Sequence, residues 1–396
     1  MTATANATSC TTVKVYRTVE GLEELRERWS AWPGTRDSDL DALLTICQTS
    51  PDVLAPHVIV VCRDGNPVSL LAGKLSRRQF EFRVGYLSLF KPLVNAIIVP
   101  YGGLRGDSSP ETCRAIIAEV IKSLRNHEAD LALFDHLPTD SALFQAAKGG
   151  PAFLLRDHIP SVQLHWVMQL PEGVEALYAS LSYNQRQHFR KTARKLRRSF
   201  PEAVRIGRLQ SPTDLDRMIP DIEEIAQKTY QRKLGVGFNT SSALVDFLRM
   251  EAEKGWLRAY VLYLNDKPCA FWIGAVYKQT FHSDFTGFDP QYTQHAPGTC
   301  LLTEILEELC TAGVSTVDFG FGDNAYKERI STAAKGEATV HVFAASRKGI
   351  GLCTARALTS FLHEPARAFL QKTNLTQKVK KAWRSLARKR EGVKES

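Results

Sequence analysis

The chain has 396 residues, of which 44% are hydrophobic and 23% charged, and a formal net charge of +9 at pH 7. This length exceeds the size at which a single hydrophobic core usually keeps growing, so two domains are expected. No run of residues approaches the roughly 20 apolar positions that a membrane-spanning helix needs, and the N-terminal segment lacks the apolar core of a signal peptide, which predicts a cytoplasmic protein.

The charge is unevenly distributed along the chain. Residues 346–396 hold 13 Lys and Arg against 3 Asp and Glu, so residues 1–345 hold 38 against 39 and are close to neutral. A neutral body argues against a general nucleic-acid-binding surface. The eight cysteines form no C-x-x-C pair and no zinc-finger spacing with histidines, so neither a disulfide framework nor a bound metal is expected.

In chain order, the first predicted elements are a strand, a turn and a strand in residues 57–75, HVIVVCRDGNPVSLLAGKL, and then a helix and a short strand in residues 110–138. The same plan recurs as LRAYVLYLNDKPCAFWIGAVY in residues 257–277 and as a helix and strand in residues 297–323. Two matches in the same order favour duplication of one mixed α/β unit.

The duplication predicts an α/β fold with tandem domains, each a mixed sheet flanked by helices. We place one domain at residues 10–165 and a second at residues 166–345. A basic helical tail, residues 346–396, would follow them.

The two copies differ where each long helix begins. The first copy reads Pro110-Glu111 at this point, and the second reads Pro297-Gly298. A helix N-terminus carries unpaired N–H groups and partial positive charge, so an opening without bulky side chains can hold a phosphate, whereas a carboxylate would repel it. We therefore expect only the second copy to bind a phosphorylated ligand. The alternative is an ordinary helix start with proline in the first turn.

Between the copies lies a strongly basic predicted helix, YNQRQHFRKTARKLRRSF, which contains seven Lys and Arg and no acidic residue. Arg186 and Arg190 recur at helical spacing and share a face. They are candidates for binding an anionic substrate, although a solvated charged face explains most such runs.

The predicted strand QTFHSDFTGF alternates, which places Phe281 and Phe285 on one face and His282 and Asp284 on the other. One face of this strand therefore carries titratable groups.

Near the C-terminus, NLTQKVKKAWRSLARKR places Leu375, Val379, Trp383 and Leu386 on one side of a predicted basic helix. A basic amphipathic helix of this kind suits the surface of an anionic membrane. Contact through residues 372–390 would make the protein peripheral at the inner face of the membrane. The alternative is that this helix packs on the body.

Four stretches together resemble the GNAT acyltransferase superfamily: LSYNQRQHFRKTARKLRR, GWLRAYVLYLNDKPCAFWIGAVY, TGFDPQYTQHAPGTCLL and VDFGFGDNAYKERIS. More narrowly, they resemble its CelD-type branch, which is associated with cellulose and exopolysaccharide biosynthesis and is related to the tandem-GNAT FemAB peptidyltransferases. The resemblance covers about residues 181–331. It implies acetyl-CoA or another acyl-CoA as co-substrate, with its pyrophosphate on the loop that enters the helix at Gly298.

The usual phosphate signature of this superfamily is Gln or Arg, two residues, Gly, one residue, and Gly or Ala. Here the signature departs at both ends, with His295 in its first place and Cys300 in its last. The cofactor-binding residues that the resemblance and the residue chemistry imply are His295, Pro297, Gly298, Thr299, Cys300 and Lys327.

Acyl transfer needs a base, hydrogen-bond donors for an oxyanion, and a proton for the leaving thiolate. Asp284 and His282 are candidate bases on the strand before the long helix, and Asp318 lies on the strand after it. The resemblance implies a tyrosine near the departing sulfur, and Tyr326 is in position for this role. For each residue the structural alternative is a hydrogen-bonded pair or simple packing.

Three functions follow from these patterns. The first is an acyl-CoA-dependent N- or O-acyltransferase, with acetyl transfer favoured, that acts on a sugar, a sugar nucleotide or an envelope or exopolysaccharide precursor. The second is a FemAB-like peptidyltransferase that takes its aminoacyl group from tRNA, which the basic helix fits but the motifs fit less well. The third is a non-catalytic scaffold at the membrane.

Overall fold

The computed structural model describes residues 10–85, 87–229, 232, 237–322 and 325–372. The chain divides into two compact units. Unit 1 consists of Met1–Trp32, Asp52–Ser161 and Ala338–Ser396, and unit 2 consists of Pro33–Pro51 and Val162–Glu337. Within the segment predicted to contact a membrane, residues 373–390 lie outside the described residues.

The strands of unit 1 form two sheet regions and a hairpin. An antiparallel sheet in the order β1-β3-β4-β9 contains β1 (Thr11–Tyr16), β3 (Val58–Arg63), β4 (Asn66–Leu71) and β9 (Leu104–Gly106). A second region in the order β2-β5-β8-β10, with β8 and β10 parallel, contains β2 (Val53–Pro56), β5 (Lys74–Gln79), β8 (Leu93–Val99) and β10 (Leu131–Pro138). The hairpin consists of β6 (Phe82–Val84) and β7 (Leu87–Phe90).

The helices of unit 1 are α1 (Val19–Glu23), α2 (Arg26–Ala31), α4 (Pro110–Arg125), α5 (Ala142–Gly149) and α12 (Arg347–Lys372). α4 begins as predicted, with the Ser109 hydroxyl accepting the N–H of Thr112 and with proline in the first helical position. In α12, Leu352 and Cys353 pack into the core of unit 1. The segment from residue 346 onward therefore begins with a helix that belongs to this unit.

The strands of unit 2 run in the order β12-β13-β14-β15-β16-β11. β15 and β16 pair in parallel, whereas β12 with β13, β13 with β14, β14 with β15, and β16 with β11 pair antiparallel. These strands are β11 (Ser161–Gln169), β12 (Val204–Arg208), β13 (Leu257–Leu264), β14 (Lys267–Tyr277), β15 (Thr280–Phe288) and β16 (Thr316–Phe321), and β17 (Ala333–Phe343) passes from unit 2 into unit 1.

The helices of unit 2 are α3 (Leu40–Thr49), α6 (Val174–Ser180), α7 (Tyr183–Ser199), α8 (Pro212–Lys228), α9 (Ser242–Glu253), α10 (Pro297–Thr311) and α11 (Ala325–Ile330). They cover both faces of the sheet. Trp272 of β14 packs in the core that contains α7 and α10, and its neighbour Phe271 packs in the core that contains α8 and α9. Strand alternation therefore gives each face its own core. The predicted fold class, mixed sheets flanked by helices, is confirmed.

The basic helix α7 forms because its start is fully capped. The Ser182 hydroxyl accepts the N–H of Gln185, and the Gln185 side chain accepts the N–H of Ser182, which completes a capping box. α7 buries Phe189, Thr192 and Leu196, so its basic residues lie on the remaining faces.

In the described part of the chain, no helix combines the length and the apolar character that crossing a bilayer requires.

Candidate functional site

Strands β15 and β16 pair over only a short distance and then part. Their parallel register covers three residue pairs, ending with His282 opposite Asp318. β15 continues to Phe288 and β16 to Phe321 without further pairing to each other. The backbone edge of β15 beyond His282 is therefore open toward the gap between the two strands.

A β-bulge lies in β15 at the point where the strands part. Ile273 of β14 is opposite Phe285 and Gly274 is opposite Ser283, so Asp284 is the extra residue. The predicted alternation is wrong here: Phe281 packs with α7 and α10, whereas Phe285 packs with α8 and α9. The reason is that an inserted residue shifts every later side chain to the opposite face.

A cavity of about 560 Å³ occupies this gap. Its walls are largely aromatic and aliphatic, with polar groups at a few points. The apolar wall contains Phe238, Trp272, Phe285, Phe288, Leu302, Phe319 and Tyr326, and the polar positions include Lys228, Thr229, Ser283, Asp284, Thr286, Thr293, Thr299 and Lys327.

The start of α10 opens into the cavity. Ala296, in the left-handed conformation at φ 47° and ψ 53°, precedes the helix, and no side chain caps it. Gly298 and Thr299 both line the cavity. A Cβ placed on Gly298 would meet only the Phe288 ring at 3.7 Å, so the glycine leaves open space beside the helix N-terminus. An anion can therefore approach the positive end of α10.

The other residues predicted to bind the cofactor lie in different surroundings. Pro297 and Cys300 are buried, and burial raises the pKa of the Cys300 thiol to about 12. The His295 ring packs against Phe200 at a centroid distance of 5.1 Å. Lys327 lines the cavity, but its Nζ donates to the carbonyl of Phe321 at 2.8 Å, and burial lowers its pKa.

The corresponding helix start in unit 1, at α4, already faces a carboxylate from its own chain. Asp107 accepts hydrogen bonds from the Ser109 N–H at 2.9 Å and the Thr112 hydroxyl at 2.7 Å, and it pairs with Arg63 at 2.5 Å. The Thr112 hydrogen bond is the main cause that lowers the pKa of Asp107 to about 2. Glu111 is 77% exposed, so the carboxylate that fills this position is Asp107.

Asp284 faces the cavity and is held by an arginine from the N-terminal part of the chain. Arg36 donates from Nη1 and Nη2 to the two carboxylate oxygens of Asp284 at 2.6 and 2.7 Å. Arg36 is itself buried, and its Nη1 lies 3.4 Å from the carboxylate of Glu251. The bidentate pair fixes the orientation of Asp284.

Glu251 on α9 is fully buried, and neither of its carboxyl oxygens has a hydrogen-bond partner within the described residues. Burial raises the pKa of Glu251 to about 8, although the charge of Arg36 opposes this rise. The unfolded carboxyl titrates near pH 4.3, so the folded state favours the protonated form. The contribution of Glu251 to the free energy of unfolding is therefore greatest below the unfolded pKa, and it is lost as the pH rises through about 8.

Glu251→Gln is expected to flatten this decline because glutamine cannot ionise. Between about pH 5 and about pH 8.5, the free energy of unfolding should fall less in the variant than in the parent, with a difference of up to roughly 4 kcal/mol. Urea unfolding at a series of pH values measures it. Glu253→Gln, at an exposed position of the same helix, is the control. Parallel curves for Glu251→Gln and the parent would show that Glu251 does not titrate in this range.

His282 and Asp318, two further predicted catalytic residues, belong to a buried polar cluster. Asp318 pairs with His165 Nε2 at 2.6 Å and with His282 Nδ1 at 3.3 Å, and Glu337 lies 3.3 Å from His165 Nδ1. Burial opposes protonation of His165, but the hydrogen bonds with Asp318 and Glu337 raise its pKa to about 9. These contacts agree with the alternative for Asp318, in which it is a member of a hydrogen-bonded pair. His282 lies beside the point where the strands part.

Tyr326 lies in the cavity wall, where its ring packs edge-to-face against Trp272 and Phe319, each at a centroid distance of 6.2 Å. Trp272 in turn donates from Nε1 to the Ser283 hydroxyl at 3.0 Å. These contacts orient the tyrosine along the wall shared by β14 and β16.

Arg186 and Arg190, the candidates for substrate binding, are directed toward Tyr178 of α6. Arg186 donates to the Tyr178 carbonyl at 3.2 Å, and the Arg190 guanidinium lies 5.7 Å from the centre of the Tyr178 ring. α7 contains no acidic residue, but α10 supplies Glu304, which pairs with Arg197 at 3.4 Å. Part of the basic charge of α7 is therefore balanced within unit 2.

Comparison with known families and structures agrees with this geometry. Residues 184–328 match the acetyltransferase (GNAT) domain family. Unit 2 contains a GNAT acyltransferase domain. The match includes the basic helix, the parting strands and the start of α10, and it accounts for a little over a third of the chain. No curated protein matches the chain.

Solved structures resemble about 85% of this chain in fold, and one of them is a tandem GNAT protein. FemX matches with a TM-score of 0.55 and 12% identity, over 84% of this chain and 97% of that one. A tandem GNAT protein from the clavulanic acid biosynthesis pathway matches with a TM-score of 0.50 and 14% identity, over 85% and 99% of the two chains. A conserved protein of unknown function from Bacteroides thetaiotaomicron matches with a TM-score of 0.51 and 11% identity, over 84% and 100%.

Sequence reasoning missed the residues that surround the GNAT cleft from distant parts of the chain. Arg36 is 248 positions from Asp284, and Glu251 lies on a helix whose pattern indicates only packing. His165 likewise reaches Asp318 from a strand that carries no motif. One signal in the sequence could have identified Glu251. It is a charged residue at a position of α9 where the hydrophobic pattern predicts burial.

Proposed function

We propose that unit 2 is an acyl-CoA-dependent N- or O-acyltransferase, with acetyl as the transferred group, that acts on a sugar, a sugar nucleotide or an envelope or exopolysaccharide precursor. The observation that carries this proposal is the uncapped start of α10, which opens at Gly298 into a cavity between two parting strands. The CelD-type resemblance of the motifs supports the choice of acceptor.

The residues present fit an acyl-CoA donor. Gly298 and Thr299 at the start of α10 would hold its phosphates through the partial positive charge of the helix N-terminus, where the Thr299 and Cys300 N–H groups donate to the Ala296 carbonyl. The apolar wall of the cavity suits the uncharged part of the donor. When bound, the donor supplies a thioester, from which the acyl group passes to the acceptor.

The open edge of β15 supplies hydrogen-bond donors for the oxyanion. The bulge leaves Asp284 without a partner in the register with β14, and β16 has already separated from β15 at this point. Backbone N–H groups that are free beside a cavity can stabilise negative charge on a reacting carbonyl oxygen.

Asp284 is proposed to accept the proton of the attacking amine or hydroxyl, directly or through water. Its carboxyl group lines the cavity, and Arg36 holds it in one orientation. Tyr326, which also lines the cavity, is proposed to protonate the leaving thiolate. The acceptor adds to the thioester carbonyl, and the carbon–sulfur bond then breaks. The proton taken by Asp284 is released to solvent, and Tyr326 regains a proton from solvent.

A FemAB-like aminoacyl transfer from tRNA is the second candidate. The exposed basic residues of α7 favour it, because a polyanion could bind along that helix; they include Lys191, Arg194 and Arg198. The similarity to FemX supports the fold that this function would need. The motifs of unit 2 favour the acyl-CoA donor.

Ligand-induced stabilisation of the full chain separates the two candidates. Acetyl-CoA at about a hundred times its dissociation constant is expected to raise the free energy of unfolding by about 2.7 kcal/mol. Aminoacyl-tRNA is expected to have no effect at physiological salt. Stabilisation by aminoacyl-tRNA alone would establish the second candidate, and no response to either ligand would contradict both.

A further inference from the structure

The two flanks of the basic helix α7 differ in their surroundings. On one flank, Arg186 and Arg190 contact Tyr178, and Arg197 pairs with Glu304 of α10. The spacing of these three arginines places them on the same side of the helix. Each of them has a partner within unit 2, so this flank is occupied by contacts of the protein itself.

The opposite flank of α7 carries Lys191, Lys195 and Arg198, which lie about one helical turn apart and are all exposed. Within the described residues, none of the three pairs with a carboxylate, and Lys195 donates to the carbonyl of Gln294 at 2.6 Å. Like charges at this spacing destabilise a helix. The flank therefore holds positive charge that a bound anion would compensate.

This half of α7 is anchored beside the turn that leads into α10. The turn is the short helix Pro290–His295. Besides the hydrogen bond from Lys195, the ring of Phe200 at the end of α7 packs edge-to-face against Tyr292 and His295, at centroid distances of 6.2 and 5.1 Å. These contacts fix the position of the cationic flank relative to the turn.

The turn also borders the cavity that is proposed to hold the acyl-CoA donor, since Pro290 and Thr293 line it. β15 continues from Asp284 to Phe288 before the turn begins, so the turn lies at the end of the cavity away from Asp284. The thioester must reach Asp284, which directs the nucleotide end of the donor toward the turn. In coenzyme A, the ribose next to the pyrophosphate carries a further phosphate at its 3′ position, which is close to a dianion at neutral pH.

We propose that Lys191, Lys195 and Arg198 of α7 bind the ribose 3′-phosphate of the acyl-CoA donor, a role that rests on the function proposed for unit 2. Ammonium and guanidinium groups hold a phosphate through charge-assisted hydrogen bonds. The flank thereby distinguishes coenzyme A from donors that lack this phosphate. The phosphates of an RNA backbone are the other source of this chemistry, and binding measurements separate the two.

Calorimetric titration of the full-length protein with coenzyme A and with 3′-dephospho-coenzyme A tests this site. We expect the parent to bind coenzyme A at least about tenfold more tightly, with the difference shrinking as salt is raised. Lys191→Gln combined with Arg198→Gln is expected to weaken coenzyme A binding by at least about fivefold and dephospho-coenzyme A binding by less than about twofold. Lys195 is retained in this variant because its hydrogen bond holds the turn.

Arg217→Gln combined with Arg249→Gln is the matched control, because both arginines are exposed and lie on α8 and α9, which cover the other face of the sheet. It removes the same net charge and is expected to bind both ligands like the parent.

Three results would overturn this role of α7 while the proposed function stands: equal affinities of the parent for the two ligands, an equal loss for both ligands in the α7 variant, or a loss of tRNA binding in that variant with unchanged coenzyme A binding. Binding of neither ligand by the parent would contradict the proposed function as well.

Discussion

Replacing Gly298 with glutamate is expected to weaken acetyl-CoA binding by roughly a thousandfold while leaving the fold intact. The new carboxylate would lie at the start of α10, in the space where the phosphates are proposed to bind. Two like charges about 4 Å apart at a protein surface repel by about 4 kcal/mol, and every 1.4 kcal/mol is about tenfold in affinity. Isothermal titration calorimetry with acetyl-CoA measures the loss.

Two further variants at this position separate size from charge. Gly298→Ala adds a Cβ that meets only Phe288, at an ordinary contact distance of 3.7 Å, so thermal unfolding should match the parent. Gly298→Gln has the length of glutamate without its charge and should bind much more tightly than Gly298→Glu. Equal affinities for the two would show that electrostatic repulsion is not the cause and that phosphates do not lie at this helix start.

Asp284→Asn is the complementary change in the same cavity. It removes the proposed proton acceptor but leaves the start of α10 unaltered, so acetyl-CoA should bind nearly as in the parent. Thiol release from acetyl-CoA with a panel of amino sugars should fall by about a hundredfold, the typical effect of losing a general base. Unchanged turnover with any accepted sugar would remove Asp284 from the mechanism.

Arg36→Met is expected to have the largest effect on stability, lowering the free energy of unfolding by about 3 to 5 kcal/mol. The side chain of Arg36 is only 10% exposed, and it is the cation that pairs with Asp284 and lies beside Glu251. Methionine fills much of the same volume but leaves the Asp284 carboxylate uncompensated. Chemical unfolding at pH 7 measures the change.

Adding Asp284→Asn to Arg36→Met should recover part of the lost stability, because the unpaired charge is removed with its partner. Arg249→Met is the matched control: Arg249 pairs with Asp216 and Asp246, but it is half exposed. Exposed pairs contribute little, so this variant should unfold like the parent. If Arg36→Met and Arg249→Met behave alike, the pair between Arg36 and Asp284 does not stabilise unit 2.

Local sequence patterns predicted several elements of the fold. The start of α10 at Pro297, the hairpin of β13 and β14, and the capped basic helix α7 all follow from residues close together in the chain. Proline in the first turn, alternating apolar residues and a Ser-x-x-Gln cap are short-range signals. The duplicated plan was likewise visible, since each copy repeats the same spacing.

The bulge at Asp284 was not predicted, because nothing in QTFHSDFTGF indicates an extra residue. It depends on the partner strand: a Cβ on Gly274 would lie 2.3 Å from the carbonyl of His282, so a glycine there lets β15 approach closely. Strand alternation assumes an uninterrupted ladder, and one inserted residue reverses the faces that follow. The predicted faces failed at this point for that reason.

The sequence by itself determined where β13, α7 and α10 begin, that one copy opens its long helix with glycine, and that His282 and Asp284 lie on the strand before that helix. Only the tertiary structure decided that β15 and β16 part beyond His282, that Arg36 holds Asp284, and that Asp107 faces the helix start in unit 1. Helix caps and alternation act over a few residues and can be recognised in the chain. Charges from distant segments pair because burial raises the free-energy cost of leaving a charge unpaired. No local pattern in the chain identifies such partners.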